Sequence, residues 1–176
     1  MNWNALGAIG EIVGAAAVLI TLIAIYLQQR KAHKLARAET QREILVTVAD
    51  MFAFVASHPT ALGSVRKCLQ NFDDASPREQ ADFYRYAHMS INIAEQAFYL
   101  DKEGLLNHAS YVGLEGIALM LLVTPGGKQW WSKIGPAFGA DIREQLENIL
   151  RERGNDILPA WHYFPHLDLN AEENKQ

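Results

Sequence analysis

Residues 6–34 read LGAIGEIVGAAAVLITLIAIYLQQRKAHK, and the reading of this stretch decides the rest. From residue 12 to residue 29 there is no charged side chain, and from 12 to 27 nearly every residue is apolar or small. A helix rises about 1.5 Å per residue, so roughly 20 residues cross a hydrocarbon core of about 30 Å. Residues 12–27 are slightly short for that, and residues 6–10 and 28–29 supply the remainder. One membrane-spanning helix is therefore expected. A cleaved signal peptide carries its cations before the apolar run and small residues after it. Here the first ten residues hold no Lys or Arg, and the run ends in Tyr26, Leu27, Gln28, Gln29 and Arg30. A buried core helix is the other alternative.

The flanks give an orientation. Arg30, Lys31, Lys34, Arg37 and Arg42 follow the span directly. Cytoplasmic flanks are enriched in Lys and Arg, and charges within about 15–20 residues of the span count most. The N-terminus is expected outside and the C-terminal part in the cytoplasm, with Trp3 and Tyr26 near the two interfaces. The same cations, above all Arg30, Lys31, Lys34 and Arg37, suit anionic lipid headgroups, at roughly 1 kcal/mol per charge near the surface.

Two features within the span bear on function. Gly10 and Gly14, continued by Gly7, Ala17 and Thr21, form a small-residue face on which helix backbones approach closely in lipid. Glu11 stands one turn inside the apolar run, where a carboxylate costs a few kcal/mol on insertion scales. Near the interface it reaches headgroups and complements the helix dipole. In an assembly it lines a lumen mouth or meets a partner's cation.

Charge is unevenly distributed along the 176 residues. Residues 28–42 hold five Lys/Arg and one Glu, whereas residues 43–176 hold eleven Lys/Arg and eighteen Asp/Glu. An acidic domain argues against a nucleic-acid partner, which wants a basic face. One cysteine, Cys68, excludes an internal disulfide and a cysteine zinc site.

The fold expected is all-α. Four parts follow: an N-terminal segment with the transmembrane helix (1–29), a basic juxtamembrane helix (30–43), a cytoplasmic bundle of about four further helices (44–167) and a polar tail (168–176). The first helix is expected to run from about residue 4 to 57, burying Leu45, Val48, Phe52 and Val55 and ending at His58-Pro59. A second, capped by Thr60, carries Leu62, Val65, Leu69 and Phe72 on one face. Ser76-Pro77-Arg78-Glu79 is a capping box with proline at the first helical position. The helix it opens buries Phe83, Ala87, Ser90 or Ile91, Ala94 and Phe98, and closes at Gly104 in a left-handed cap. Residues 107–123 make a core helix, because seven wholly apolar residues (IALMLLV, 117–123) cannot span a bilayer. A last long helix is expected over 128–153, ending at Gly154, with the aromatic tail around Trp161 and Phe164 packed back on the bundle.

Three segments, GAIGEIVGAAAVLITLIAIYLQQRK (7–31), NIAEQAFYLDKEGLLN (92–107) and TPGGKQWWSKIGPAFGADIREQLENIL (124–150), together resemble an uncharacterised group of small bacterial membrane proteins. These pair a GEIVGA-type span with an all-helical region holding a Pro-Gly…Trp-Trp segment. The resemblance implies the architecture and a bacterial source, and it implies no activity. Asn107 stands where the pattern suggests an Asp.

The search for chemistry is largely negative. A di-iron bundle needs Glu-x-x-His pairs, and no Glu here has His three residues on. His162, His166 and Asp168 are close in sequence, but Pro165 interrupts a regular helix. His88 lies mid-helix between core positions and is expected to be hydrogen-bonded rather than ligating. Cys68, beside Arg66 and Lys67, could have a lowered thiol pKa but has no identifiable His partner. PGGK (125–128) lacks phosphate-loop spacing, although a helix opening at Lys128 could bind an anion. Adjacent helical residues point about 100° apart, so of Trp130 and Trp131 one ring is expected in the core and the other at its edge or against a partner. No catalytic, cofactor or metal site is assigned. The sequence favours a structural or interaction protein, self-assembling or an accessory subunit of an inner-membrane complex. The alternative is a homo-oligomeric, cation-preferring pore with Glu11 near its mouth.

Overall fold

The computed structural model describes the backbone of residues 3–168, and the side chains of residues 10–168 apart from Pro59. The described residues form seven α-helices and two single 3-10 turns, with no strand. The chain divides into two compact units, residues 1–40 and 41–176. Trp3, Leu6 and Gly7 carry side-chain expectations that fall outside the described residues, as does most of the polar tail.

Helix α1 spans Trp3–Ser57. It has no internal proline, and its middle is built from strong helix formers such as Ala36, Arg37, Ala38, Glu39 and Gln41. In the first unit every described side chain from residue 10 to residue 39 is exposed. The helix contains a segment long and apolar enough to cross a membrane. It ends where Pro59 forces His58 into an extended conformation.

The second unit is a helical bundle that takes in the last four turns of α1. Ile44, Met51 and Val55 of α1 are buried, with Val48 packed against them. Of the expected face, Val48 and Val55 pack inward, whereas Leu45 is 60% and Phe52 36% exposed, and Ile44 and Met51 take their places in the core. Both registers are apolar at helical spacing, and the neighbours decide between them: Ser90 Oγ of α3 lies 3.3 Å from Met51 Sδ, and Ile44 borders a pocket with Leu106 and Leu114.

Helix α2 (Pro59–Gln70) buries Val65, Cys68 and Leu69. Its first residue is Pro59, whose missing N–H costs nothing there, so Thr60 is inside the helix rather than its cap. The following turn is held from two sides. Gln129 Oε1 accepts from Phe72 N at 2.7 Å, and Gln80 Nε2 donates to Phe72 O at 3.0 Å.

Helix α3 (Pro77–Lys102) begins with the expected capping box. Ser76 N donates to Glu79 Oε2 at 2.7 Å, and Glu79 N donates to Ser76 Oγ. These bonds, with Lys67 beyond them, lower the Glu79 pKa to about 2. The helix buries both Ser90 and Ile91, while Phe98 is half-buried. It closes at Gly104, the one described residue with positive φ (67°).

Helix α4 (His108–Leu122) is capped by Asn107, whose side chain accepts from Ala109 N at 2.8 Å. It buries Ala118, Leu119, Leu121 and Leu122. Helix α5 (Pro125–Ile134) then turns off through 100°. Its cap is the buried Thr124, which donates to Leu121 O at 2.7 Å and accepts from Gly127 N at 3.0 Å. The expected turn at Pro125-Gly126-Gly127 is therefore the first turn of a helix. Here glycine is required by close approach: a Cβ on Gly126 would lie 1.6 Å from the Cys68 carbonyl oxygen, and one on Gly127 would lie 2.0 Å from that of Leu121.

The long last helix does not form as one piece. Gly135–Ala137 is a 3-10 turn, Phe138 is extended, and α6 (Ala140–Arg153) starts afresh. Pro136 has no N–H to give an α-helical ladder. The apolar spacing of Trp131, Ile134, Phe138 and Ile142 continues across the break, which hides it. Gly154 follows α6 as expected. A short α7 (Ala160–Tyr163) and the turn Pro165–Leu167 return to the core, burying Ala160 and Leu167.

Gly113 of α4 is the counterpart of Gly126, because a Cβ there meets nothing within 4 Å. Gly126→Ala should cost at least about 2 kcal/mol of stability through overpacking against α2. Gly113→Ala should be neutral or gain up to about 1 kcal/mol from helix propensity. Urea unfolding of the full chain in mild detergent, followed by near-UV circular dichroism, compares the two.

Candidate functional site

The expected site residues fall into two exposed sets and one buried set. On α1, Gly10, Gly14, Ala17 and Thr21 recur at four, three and four residues and so share a face. All four are exposed, and a Cβ on Gly10 or Gly14 would meet nothing within 4 Å. Thr21 Oγ1 turns inward and donates to Ala17 O at 2.9 Å, which leaves the face without a free hydroxyl donor. Glu11 is exposed and, three residues before Gly14, borders this face at about 60°. Arg30, Lys31, Lys34 and Arg37 are exposed, and none forms an ion pair with a described residue. The Arg30 guanidinium lies 6.0 Å from the Tyr26 ring centroid.

Trp130 and Trp131 belong to the buried set. They are 0% and 8% exposed, so neither ring is presented to a partner. The two can share a core because α5 ends one turn later and Phe138 folds over them. Its ring stacks on Trp131 at 5.5 Å and meets Trp130 edge-on at 6.1 Å. Phe83 adds a T-shaped contact to Trp130 at 6.3 Å. Both indole N–H groups are buried without an acceptor among the described residues, an arrangement that costs about 1–3 kcal/mol per group. His88, expected to be hydrogen-bonded, instead sits between the Tyr84 and Phe138 rings at 5.4 and 5.0 Å, with Nδ1 unpartnered.

Cys68 departs from the reading in which flanking cations activate it. Its side chain is fully buried, and burial, assisted by Glu79, pushes the thiol up to about 12 against the lowering effect of Lys67. The N-terminus of α5 is likewise closed to an anion, since Gly126 and Gly127 are buried against the backbone of α2 and α4. His162 and His166 fall on separate elements, α7 and the turn after it. Among the described residues, no group of three or more His, Cys, Asp or Glu converges as metal ligands would.

One polar constellation has no counterpart in the sequence reading. Glu115 on α4 is only 6% exposed. Tyr111, one turn earlier, donates its hydroxyl to Glu115 Oε1, and Gln145 Nε2 of α6 donates to the same oxygen at 3.2 Å. Burial, and after it the bond to Glu115, raises the Tyr111 pKa, keeping the phenol protonated as the donor. Glu115 borders a cleft of about 590 Å³ between α4, α6 and the chain around α7. Val112, Gly116, Leu119, Met120, Ile149, Ile157 and Phe164 give it apolar walls, and Arg153 and Asp156 stand at it as well. The sequence signal was an acid in an otherwise apolar helix, GLEGIALMLL, one turn after a tyrosine.

Comparison of the chain with protein-family models, with curated proteins and with solved structures finds no match.

The buried thiol gives a direct check of the packing of α2 against α5. A maleimide at pH 8 should leave Cys68 unmodified in the folded protein and label it fully in 8 M urea, as read by intact mass. Rapid labelling without denaturant would contradict the burial.

Proposed function

We propose that this chain is a membrane-anchored structural or interaction protein. Residues 10–29 cross a bacterial inner membrane with the N-terminus outside, and the helical bundle stands in the cytoplasm. The reading is carried by one observation: an exposed apolar stretch on α1 runs directly into four exposed cations that no described carboxylate neutralises. Lipid tails would cover the first and anionic headgroups the second. Gly10, Gly14, Ala17 and Thr21 then offer a smooth face for a second helix, either from another copy or from a larger complex that the protein serves as an accessory subunit.

A second reading rests on Glu11. An exposed carboxylate beside the small-residue face would line the mouth of a ring of copies and make a cation-preferring pore.

The mass of the particle extracted from native membranes into nanodiscs tests the assembly. A discrete homo-oligomer that Gly14→Leu dissociates, or co-migration with a fixed set of other membrane proteins, is the expected result. A monomer without companions would refute assembly. Glu11→Gln then separates the two readings: cation flux through reconstituted protein should change only if the carboxylate faces a lumen, while assembly stays the same.

A further inference from the structure

The cleft beside Glu115 is independent of the anchoring role, and its chemistry is unusual for a helical core. A carboxylate with 6% of its surface exposed is normally matched by a cation, because burying an isolated charge is costly. Glu115 has no Lys, Arg or His within ion-pair distance among the described residues. Its two partners, Tyr111 and Gln145, are neutral donors, and both bond Oε1. Oε2 accepts nothing from the described residues, and the residue lines the 590 Å³ cleft. The pair of donors fixes the carboxylate from behind and leaves its second oxygen for a donor arriving from the cleft.

The walls define the rest of that molecule. Leu119, Met120, Ile149 and Phe164 present hydrocarbon and an aromatic ring, which suit an apolar body. Gly116 leaves room on the α4 side, since a Cβ there would meet nothing within 4 Å. Gly113 and Gly116 each cost about 1 kcal/mol in a helix interior relative to alanine, and no described neighbour requires either to lack a side chain. Space kept open beside a fixed acceptor is what a bound molecule needs.

We propose that this cleft binds a small apolar primary amine, with its ammonium on Glu115 Oε2 and its hydrocarbon between α4, α6 and Phe164. The cation supplies the charge partner that the chain itself withholds from Glu115. Arg153 and Asp156 stand at the same cleft with opposite charges, both exposed to water, so Glu115 is the buried acceptor that the ammonium would meet.

The test is isothermal calorimetry on the full chain in mild detergent with three matched probes: 4-phenylbutylamine, 4-phenylbutanol and 4-phenylbutyrate. The amine should bind at least tenfold more tightly than the alcohol, and the carboxylate should bind more weakly still. Glu115→Gln keeps an amide of the same shape and should abolish the preference for the amine over the alcohol. Gly116→Leu, which fills the cleft, should weaken both. Unfolding curves for the two variants identify any loss that comes from the fold. Equal binding of amine and alcohol, preference for the carboxylate (which would put the ligand on Arg153), or an amine preference that survives Glu115→Gln would each overturn the proposal.

Discussion

Between residues 12 and 27, nine Ile, Leu and Val side chains stand on a helix whose described surface there is wholly exposed. Hydrocarbon in such a continuous stretch is stable only when it is removed from water. At about 0.3–0.6 kcal/mol per residue on an insertion scale, these side chains favour lipid by roughly 3–5 kcal/mol. That compares with the roughly 2.5–3.5 kcal/mol that a carboxylate such as Glu11 would cost at the bilayer centre, and Glu11 is near the end of the run, where the cost is smaller. The helix also satisfies its own backbone hydrogen bonds, the condition hydrocarbon imposes on any segment within it. The cations at 30–37 end the apolar run abruptly.

The bundle obeys a different constraint, the close approach of backbones. Gly126 places α5 against the carbonyl of Cys68, and Gly127 places it against α4. Thr124, buried and bonded on both sides, fixes the 100° turn between α4 and α5. That turn carries Trp130 into the space between Phe83 and Phe138, where it is the largest fully buried side chain. The two indole N–H groups find no acceptor among the described residues, so the core there is held by area and ring contacts rather than by polar pairing.

What was legible in the sequence was mostly local. Ser76 and Glu79, His58-Pro59 and Gly104 each act within one turn, and each marks its helix boundary as the residue chemistry requires. The long apolar helix was legible because composition alone specifies it. Decisions that depend on a neighbour were not. Ile44 and Met51 stand in the core where Leu45 and Phe52 are expected, because both sets have helical spacing and only the neighbouring helices separate them. The break at Gly135-Pro136 was hidden because the apolar period crosses it. Glu115 went unremarked because its partners are Tyr111 and, 30 residues later, Gln145. The cleft beside it exists only once α6 and α7 have packed.

Whether residues 10–29 are covered by lipid can be read from alkaline carbonate extraction of membranes from cells expressing the full chain. A span resists a wash at pH 11 that strips proteins held by charge or by a partner. The protein should stay in the membrane pellet and leave it only with detergent. Release into the carbonate supernatant would contradict the span and require a protein surface to cover the apolar stretch.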